Sequence, residues 1–262
     1  MRVSADHKRL MRRVKFPVRV GIEFTTIPQS LYYGRDYLRG ETDVQQWRQQ
    51  LGVGYEKIDN DPGCIEVSSE ILTGWPEVIE FASACLRLAK DTGCKQDSPY
   101  STGGGGHIHI SYPDWTLSWN EDSDARRIAH QLQYWLTKQP WVAWAMNDPS
   151  DNSEARLGDW YWRGAASCSG DNVELRFFDG VRSVEEQIEH VALAIRLLQL
   201  GAKLQYAVDS RHDMPRIHRP NLKVALAGWK QTIEELALPW KLYRKYSRNI
   251  RERYQLGPRY LN

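Results

Sequence analysis

The sequence predicts an α+β fold in which a mainly antiparallel, curved sheet carries helices on one face. Short segments with strict apolar–polar alternation, which is typical of half-buried strands, occur four times along the chain. Longer segments with helical start and stop signals lie between and after them. Strands that bury only one side need a second layer over that side, so we expect the helices to cover the apolar face of the sheet.

The four alternating segments are VRVGIEFTT, CIEVSSEIL, HIHIS and NVELRFFDG, starting at residues 18, 64, 107 and 172. Because alternate side chains of a strand point to opposite faces, one face is predicted to contain Val18, Val20, Ile22, Phe24, Ile65, Val67, Ile71, Ile108, Ile110, Val173, Leu175 and Phe177. The other is predicted to contain Arg19, Gly21, Glu23, Thr25, Glu66, Ser68, Glu70, His107, His109, Ser111, Glu174, Arg176 and Phe178. Crowded carboxylates repel one another unless cations compensate them, so the second face is a candidate cation-binding surface.

Helices are predicted over residues 42–52, 76–93, 123–146, 183–208, 220–236 and 239–255. Gly52 and Gly93 stand just after helical patterns, where a left-handed residue often ends a helix. Ser183 and Glu186 have the spacing of a capping box. The segment over 123–146 must break near Pro140, since proline cannot continue a helix interior.

Composition indicates a folded protein, since 41% of the 262 residues are apolar and 26% are charged. The four cysteines include no C-x-x-C pair, so we expect reduced thiols rather than disulfides or a thiolate zinc site. The sequence contains neither a long apolar run nor a secretory leader. We therefore expect a soluble, cytoplasmic protein that does not bind a membrane.

Both ends of the chain are basic, although the net charge is only +2. Residues 1–19 contain seven Lys or Arg and one Asp, and residues 241–262 contain seven Lys or Arg and one Glu. Such ends are either solvated surface or contacts for nucleic acid. The aromatic residues Trp240, Tyr243 and Tyr246 fit a packing stripe as well as a surface for single strands.

The polar face also has the composition of a metal–nucleotide site. The stretch GGGGHIHIS puts His107 and His109 on one face after a glycine run, which lets the backbone approach a phosphate. Singly these residues are ambiguous, since Glu174 and Arg176 could simply pair with each other. Together, carboxylates, imidazoles and arginine favour Mg2+ or Mn2+ with a nucleoside triphosphate. P-loop and H-E-x-x-H motifs are missing, which disfavours P-loop and zincin chemistry.

Four motifs in order resemble the glutamine synthetase-like carboxylate–amine ligase superfamily, most closely its small amidoligase branch found in phages and bacterial gene clusters. They are VGIEFTT, DNDPGCIEVSSEIL, GGGGHIHIS and RGAASCSGDNVELRFFDG, and they cover roughly residues 16–182. The superfamily carries G-x-E on a first strand, an acidic turn before an E-x-x-S strand, a glycine-led H-x-H strand and a late E-x-R strand. The resemblance implies a glutamine synthetase-like catalytic domain with metal and ATP on the polar face. The division that follows is a basic N-terminal segment (1–15), an amidoligase-like catalytic domain (16–210) and a basic helical C-terminal extension packed on it (211–262).

The resemblance also implies residue roles. Its metal ligands correspond to Glu23, Asp59, Glu66, His107 and Glu174. The implied catalytic and ATP-contacting residues are His109, Arg163, Arg176, Gly104, Gly105 and Gly106. Many members have a second carboxylate where this chain has Thr25. Glu70 stands where the branch often has proline or an apolar residue, and strand parity puts it on the polar face, so the hypothesis is that Glu70 replaces the missing carboxylate as a metal ligand.

The implied reaction is ATP-dependent formation of an amide or isopeptide bond through an acyl phosphate, with two Mg2+ or Mn2+ ions. The carboxylate substrate and the amine acceptor stay open among an amino acid, a peptide or protein and a modified nucleobase. One alternative is a metallohydrolase with Zn2+ or Fe2+ on His107, His109 and carboxylates. Another is a catalytically degenerate ligase fold that acts as a binding or virion-associated protein, with nucleic acid on its basic ends. The oligomeric state is open.

Overall fold

The computed structural model describes residues 3–27, 37–61, 64–94, 106–115, 123–146, 164–206 and 219–256. Within these ranges the strands are β1 (Arg19–Thr26), β2 (Tyr55–Asp61), β3 (Cys64–Ser69), β4 (Ile108–Ser111), β5 (Ala166–Ser169) and β6 (Asn172–Leu175). The helices are α1 (Ala5–Arg13), α2 (Tyr37–Gln50), α3 (Trp75–Asp91), α4 (Asp124–Lys138), α5 (Trp141–Met146), α6 (Val184–Gly201), α7 (Leu222–Glu235) and α8 (Trp240–Leu256).

The six strands form one antiparallel sheet in the order β2-β3-β1-β4-β6-β5. Its apolar face is buried, as the alternation predicts: Val20, Ile22, Ile108, Ile110 and Leu175 are at most 1% exposed. Helices α2, α3, α4 and α6 contact the strands. The predicted α+β fold with an antiparallel sheet is therefore confirmed.

Helix α6 lies at the centre of the helical layer and packs against β4, α1, α3 and α4. It begins after Ser183, whose hydroxyl accepts a hydrogen bond from the Glu186 amide at 3.1 Å. The Glu186 carboxylate accepts from the amide of Arg182 at 2.8 Å, so the predicted cap closes one residue further out than a standard capping box. The predicted break near Pro140 is also present, because α4 ends at Lys138 and α5 begins at Trp141.

The last two helices, α7 and α8, pack on each other and on α5. Gly228 allows this close approach, since a Cβ there would lie 2.4 Å from the ring of Trp141. On α8, Tyr246 is buried, whereas Trp240 is half exposed and stacks on Tyr243 with ring centroids 4.4 Å apart. The aromatic stripe is therefore partly a packing surface, and nucleic-acid binding by the basic ends stays a prediction, as does the three-part division of the chain.

The alternation predicted for β3 fails at its end. The register pairs Glu23 with Ser68, but Val20 pairs with Leu72, so β3 contains one extra residue between these two pairs. A bulge of this kind reverses the alternation. The expectation that Ile71 belongs to the core is wrong, since it is 65% exposed.

The alternation of the last strand also ends early, because β6 stops at Leu175. Phe178, predicted for the polar face, is instead fully buried between Phe177 and His190, with ring centroids 4.6 and 4.9 Å away. Strands β2 and β5 and helix α1 were not predicted by the sequence pattern, and α2 begins at Tyr37 rather than after Thr42. No helix in the described ranges is long and apolar enough to span a bilayer.

Candidate metal centre

Three neighbouring strands bring together two predicted metal ligands, Glu23 and Glu174, and the predicted catalytic residue His109 on the polar face of the sheet. Gly21 of β1 pairs with His109 of β4, and His109 pairs with Glu174 of β6. Glu23 lies two residues along β1 from Gly21 and therefore on the same face. Since Gly21 has no side chain, the imidazole of His109 can lie over the strand; a Cβ on Gly21 would be 3.4 Å from that of His109.

Glu23 is held by both predicted histidines. Its Oε2 accepts a hydrogen bond from His107 Nδ1 at 2.6 Å, and its Oε1 accepts from His109 Nε2 at 2.7 Å. Glu174 Oε1 lies 3.5 Å from His107 Nδ1 and 3.9 Å from His109 Nε2. One possible ligand atom from each of Glu23, His109 and Glu174 lies within 4.8 Å of the other two. We call these three residues the triad.

The electrostatics of the triad follow from its burial and hydrogen bonds. Burial alone would raise the pKa of Glu23, but the hydrogen bonds and charges of His107 and His109 outweigh it and hold that pKa far below its usual range. For His109, burial acts to lower the pKa, whereas the hydrogen bond to Glu23 and the charges of Glu174 and Glu23 raise it overall. The carboxylate of Glu23 is therefore ionised and paired with the two histidines.

Further side chains fix the orientation of the triad. Arg176 donates to Glu174 Oε1 at 2.5 Å, and the Ser167 hydroxyl donates to Glu174 Oε2 at 3.1 Å. His109 Nδ1 lies 3.0 Å from Oδ1 of Asn172, so Nε2 points toward Glu23. Sequence analysis missed Ser167 and Asn172, which belong to the β5–β6 hairpin. The Gly170–Asp171 dipeptide between them is a turn signal in the sequence that could have revealed that hairpin. In the structure, Gly170 has a φ of 64°.

The triad stands at one side of an open groove over the polar face, with a volume of about 420 Å³. Its walls come from β1, β2, β3, β4 and the β5–β6 hairpin. Lining side chains include Arg19, Glu56, Lys57, Ser68, Ile71, Asp171 and Asn172. This groove is large enough for a ligand and carries both acidic and basic groups.

The glycine run is described only at its end. The Gly106 amide donates to the Phe178 carbonyl at 3.1 Å, and a Cβ on Gly106 would lie 2.8 Å from the Asp179 carbonyl oxygen. Glycine is therefore required at residue 106 to let two backbone segments approach. Gly104, Gly105 and Arg163 lie outside the described residues, so their contacts with ATP stay a prediction.

The predicted ligands Asp59, Glu66 and Glu70 lie outside the triad, whereas the predicted ligand His107 bonds to Glu23 without belonging to the triad. Asp59 of β2 pairs with Glu66 of β3, and Glu66 pairs with Thr25 of β1. The Asp59 carboxylate forms an ion pair with Lys57. Glu70 follows the bulge of β3, is exposed, and its carboxylate occupies the space beside Gly54. The structure does not bring Asp59, Glu66 or Glu70 into the triad, and their assignment as metal ligands stays a prediction.

The residues of the triad fit a hard divalent cation. Carboxylate oxygens are the preferred ligands of Mg2+ and Mn2+, and Mn2+ also accepts an imidazole nitrogen. Two carboxylates, one imidazole and a supporting hydrogen-bond shell match that donor set. Among the described residues, no second group of three such donors meets the same distance limit.

Comparison with known proteins identifies relatives by structure only. No protein-family profile and no curated sequence matches the chain. Ligand-free GmaS, a γ-glutamylmethylamide synthetase, superposes with a TM-score of 0.59 at 15% identity over 96% of this chain and 73% of its own. A glutamine synthase homologue superposes with a TM-score of 0.52 at 15% identity over 95% and 70%. The chain has the fold of the glutamine synthetase-like ligases, as its four strand motifs predict.

Proposed function

We propose that the protein is an ATP-dependent carboxylate–amine ligase that forms an amide or isopeptide bond through an acyl phosphate. The observation that carries this proposal is the convergence of Glu23, His109 and Glu174 on the polar face of a glutamine synthetase-like fold, with Arg176 bonded to Glu174. Glu23 and His109 line the open groove over that face. The GmaS neighbour is named as a synthetase, and at 15% identity the likeness extends to the fold alone.

The triad would hold Mg2+ or Mn2+, with His107 supporting Glu23. Such an ion, when bound, neutralises phosphate charge and orients phosphate oxygens. Arg176 bonds to Glu174 and lies at the edge of the triad, where its guanidinium can also bind a substrate carboxylate or the transferred phosphoryl group. Gly104, Gly105, Gly106 and Arg163 are proposed to face the ATP phosphates.

The reaction proceeds in two steps that balance. A carboxylate oxygen of the substrate attacks the γ-phosphorus of ATP, and ADP leaves with the electrons of the broken bond. An amine then attacks the acyl carbon, phosphate leaves, and the amine loses a proton. We propose an amino acid, a peptide or protein, or a modified nucleobase as the substrates. The openness of the groove is compatible with each of these sizes.

Release of ADP tests the proposal directly. Purified protein with ATP and Mg2+ or Mn2+ is given pools of carboxylates and amines, and each pool is omitted in turn. We expect ADP release that needs the metal, a carboxylate and an amine together. Hydroxylamine in place of the amine pool should yield a hydroxamate, because it traps the acyl phosphate.

Matched arginine variants assign the role of the site. Arg176→Gln should reduce hydroxamate formation by about 100-fold, the usual size of a lost contact to a transferring group. Arg127→Gln on α4, where an exposed arginine pairs with Asp124, should leave it unchanged. Failure to bind ATP with either metal contradicts the proposal. Tight Zn2+ binding with ATP-independent hydrolysis would favour the metallohydrolase instead.

A further inference from the structure

Lys57 lies on the same face of the sheet as the triad. The register pairs Lys57 of β2 with Ser68 of β3, and Ser68 with Glu23 of β1. Residues paired across an antiparallel sheet point to the same side. The Lys57 side chain accordingly lines the groove that the triad opens into.

Beside Lys57, a row of residues across β2, β3 and β1 contains the carboxylates that a second cation would need. Asp59, Glu66 and Thr25 are aligned across β2, β3 and β1. Asp59 is already bound by the ammonium of Lys57, and Arg48 lies 3.8 Å from it. Thr25 is buried and offers a hydroxyl in place of a carboxylate. Asp59 therefore already has cations as partners, and they are part of the protein.

Lys57 is also positioned to act on the neighbouring carboxylates. Glu66 and Glu23 both interact electrostatically with its ammonium, in addition to the ion pair with Asp59. The bulge at the end of β3 removes Glu70, which could have added a further carboxylate to this row. A dication bound beside Asp59 would be repelled by this ammonium, because the two like charges would lie close together.

We infer that the groove binds one divalent cation, at the triad, and that Lys57 provides the second positive charge beside it. The triad side then carries the exchangeable ion, and the β2–β3 side carries a permanent ammonium bound to Asp59. This inference deepens the proposed function and rests on it for the class of ligand. That ligand is a substrate whose anionic phosphate or carboxylate group reaches from the ion at the triad to the ammonium of Lys57.

Counting bound Mn2+ tests the inference without an activity assay. In equilibrium dialysis, electron paramagnetic resonance measures the concentration of free Mn2+. The unaltered protein should bind one ion per chain. Lys57→Gln leaves Asp59 with only the more distant Arg48 and removes the repulsion by the ammonium, so a second, weaker ion should bind. Lys57→Arg keeps the charge and should bind one ion. Lys230→Gln, which removes an exposed lysine from α7, should also bind one.

A double variant locates the second ion. Lys57→Gln combined with Glu66→Gln should return to one ion per chain, since a carboxylate of the row is lost. Two ions on the unaltered protein, or one ion on folded Lys57→Gln, would overturn the inference, and the first of these results requires no variant to fold. ADP release is measured separately. One bound ion without ADP release would contradict the proposed function and leave the inference standing.

Discussion

Among the described residues, two clusters join a largely buried glutamate to histidine, and they differ in what completes them. In the helical layer, Glu189 of α6 accepts from His7 at 2.9 Å and from the Tyr246 hydroxyl at 2.7 Å, and it also binds Lys245. Its side chain is 4% exposed. In the groove, Glu23 binds two histidines and its side chain is 16% exposed.

The difference lies in charge compensation and access. The carboxylate of Glu189 has a protein ammonium as partner, so the helical cluster is complete within the fold. In the groove cluster, Arg176 pairs with Glu174, whereas Glu23 is paired with two histidines that can exchange their protons for a metal ion. Burial and pairing of a glutamate therefore do not mark a site by themselves. A carboxylate and an imidazole that line an open groove, with a second carboxylate beside them, do mark a candidate site.

The largest effect expected from the comparison is on stability. Glu189→Ala leaves His7 and the Tyr246 hydroxyl without their buried acceptor and leaves Lys245 with Glu186 alone, which should lower the free energy of unfolding by about 3 kcal/mol. Urea denaturation measures this change. Affinity for Mn2+ should stay the same in the folded fraction, because the triad lies elsewhere.

A surface glutamate provides the control for Glu189. Glu234→Ala removes an exposed partner of Lys230, and the unfolding free energy should change by less than about 0.5 kcal/mol. Loss of Mn2+ binding by folded Glu189→Ala would show that the two clusters are not independent.

In the groove, unlike in the helical layer, the substitution of the glutamate is expected to reduce the affinity for Mn2+. Glu23→Gln removes a ligand and should weaken Mn2+ binding by at least about 100-fold, which isothermal titration calorimetry measures. The unfolding free energy should fall as well, because glutamine does not replace the charge that pairs with His107 and His109. Glu56→Gln, a groove-lining carboxylate outside the triad, is the matched control and should bind Mn2+ normally. Equal losses in both variants would assign the binding to the overall negative charge of the groove.

Much of the groove could be predicted from sequence because strand parity is a local property. Alternation placed Glu23, His109 and Glu174 on one face, and the structure brings them together. The polar face of a strand follows from its own residues, and the order of the motifs suggested that the strands share a sheet. The start of α6 at Ser183 was predictable for the same reason, since a cap depends on neighbouring residues.

The rest depends on pairing between strands, which no local pattern encodes. The bulge that exposes Ile71 and displaces Glu70 is visible only when β1 and β3 are aligned. Likewise, the partnership of Lys57 with Asp59 depends on β2, whose residues Tyr55–Asp61 have no clean apolar alternation. The helical cluster joins His7 to Glu189 across 182 positions, so sequence spacing gave no indication of it.

The helical layer also contains a histidine, His190, whose burial should make stability depend on pH. His190, beside Glu186 and stacked on Phe178, is fully buried, and burial lowers its pKa from 6.5 to about 4. Between these values the unfolded chain binds a proton that the folded chain does not, so stability falls as pH decreases through this window, by about 1.4 kcal/mol per pH unit. His190→Phe should flatten this slope in urea denaturation at pH 4.5–6.5. An unchanged slope would show that other groups cause the pH dependence of stability.

The smallest effect is expected from Asn172, which positions His109 without reaching the proposed ion. Its Oδ1 lies 3.0 Å from His109 Nδ1, and this contact turns Nε2 toward Glu23. Asn172→Ala should weaken Mn2+ binding by about tenfold, the lower end of the range for a residue that orients a ligand. Asn172→Asp should restore most of the affinity, because a carboxylate can accept the same hydrogen bond. Asn249→Ala, which removes an amide bonded to the Ala145 carbonyl in the helical layer, should leave it unchanged. If Asn172→Ala binds Mn2+ normally while folded, the ring of His109 is held by Glu23 and Glu174 alone, and the groove cluster is as self-contained as that around Glu189.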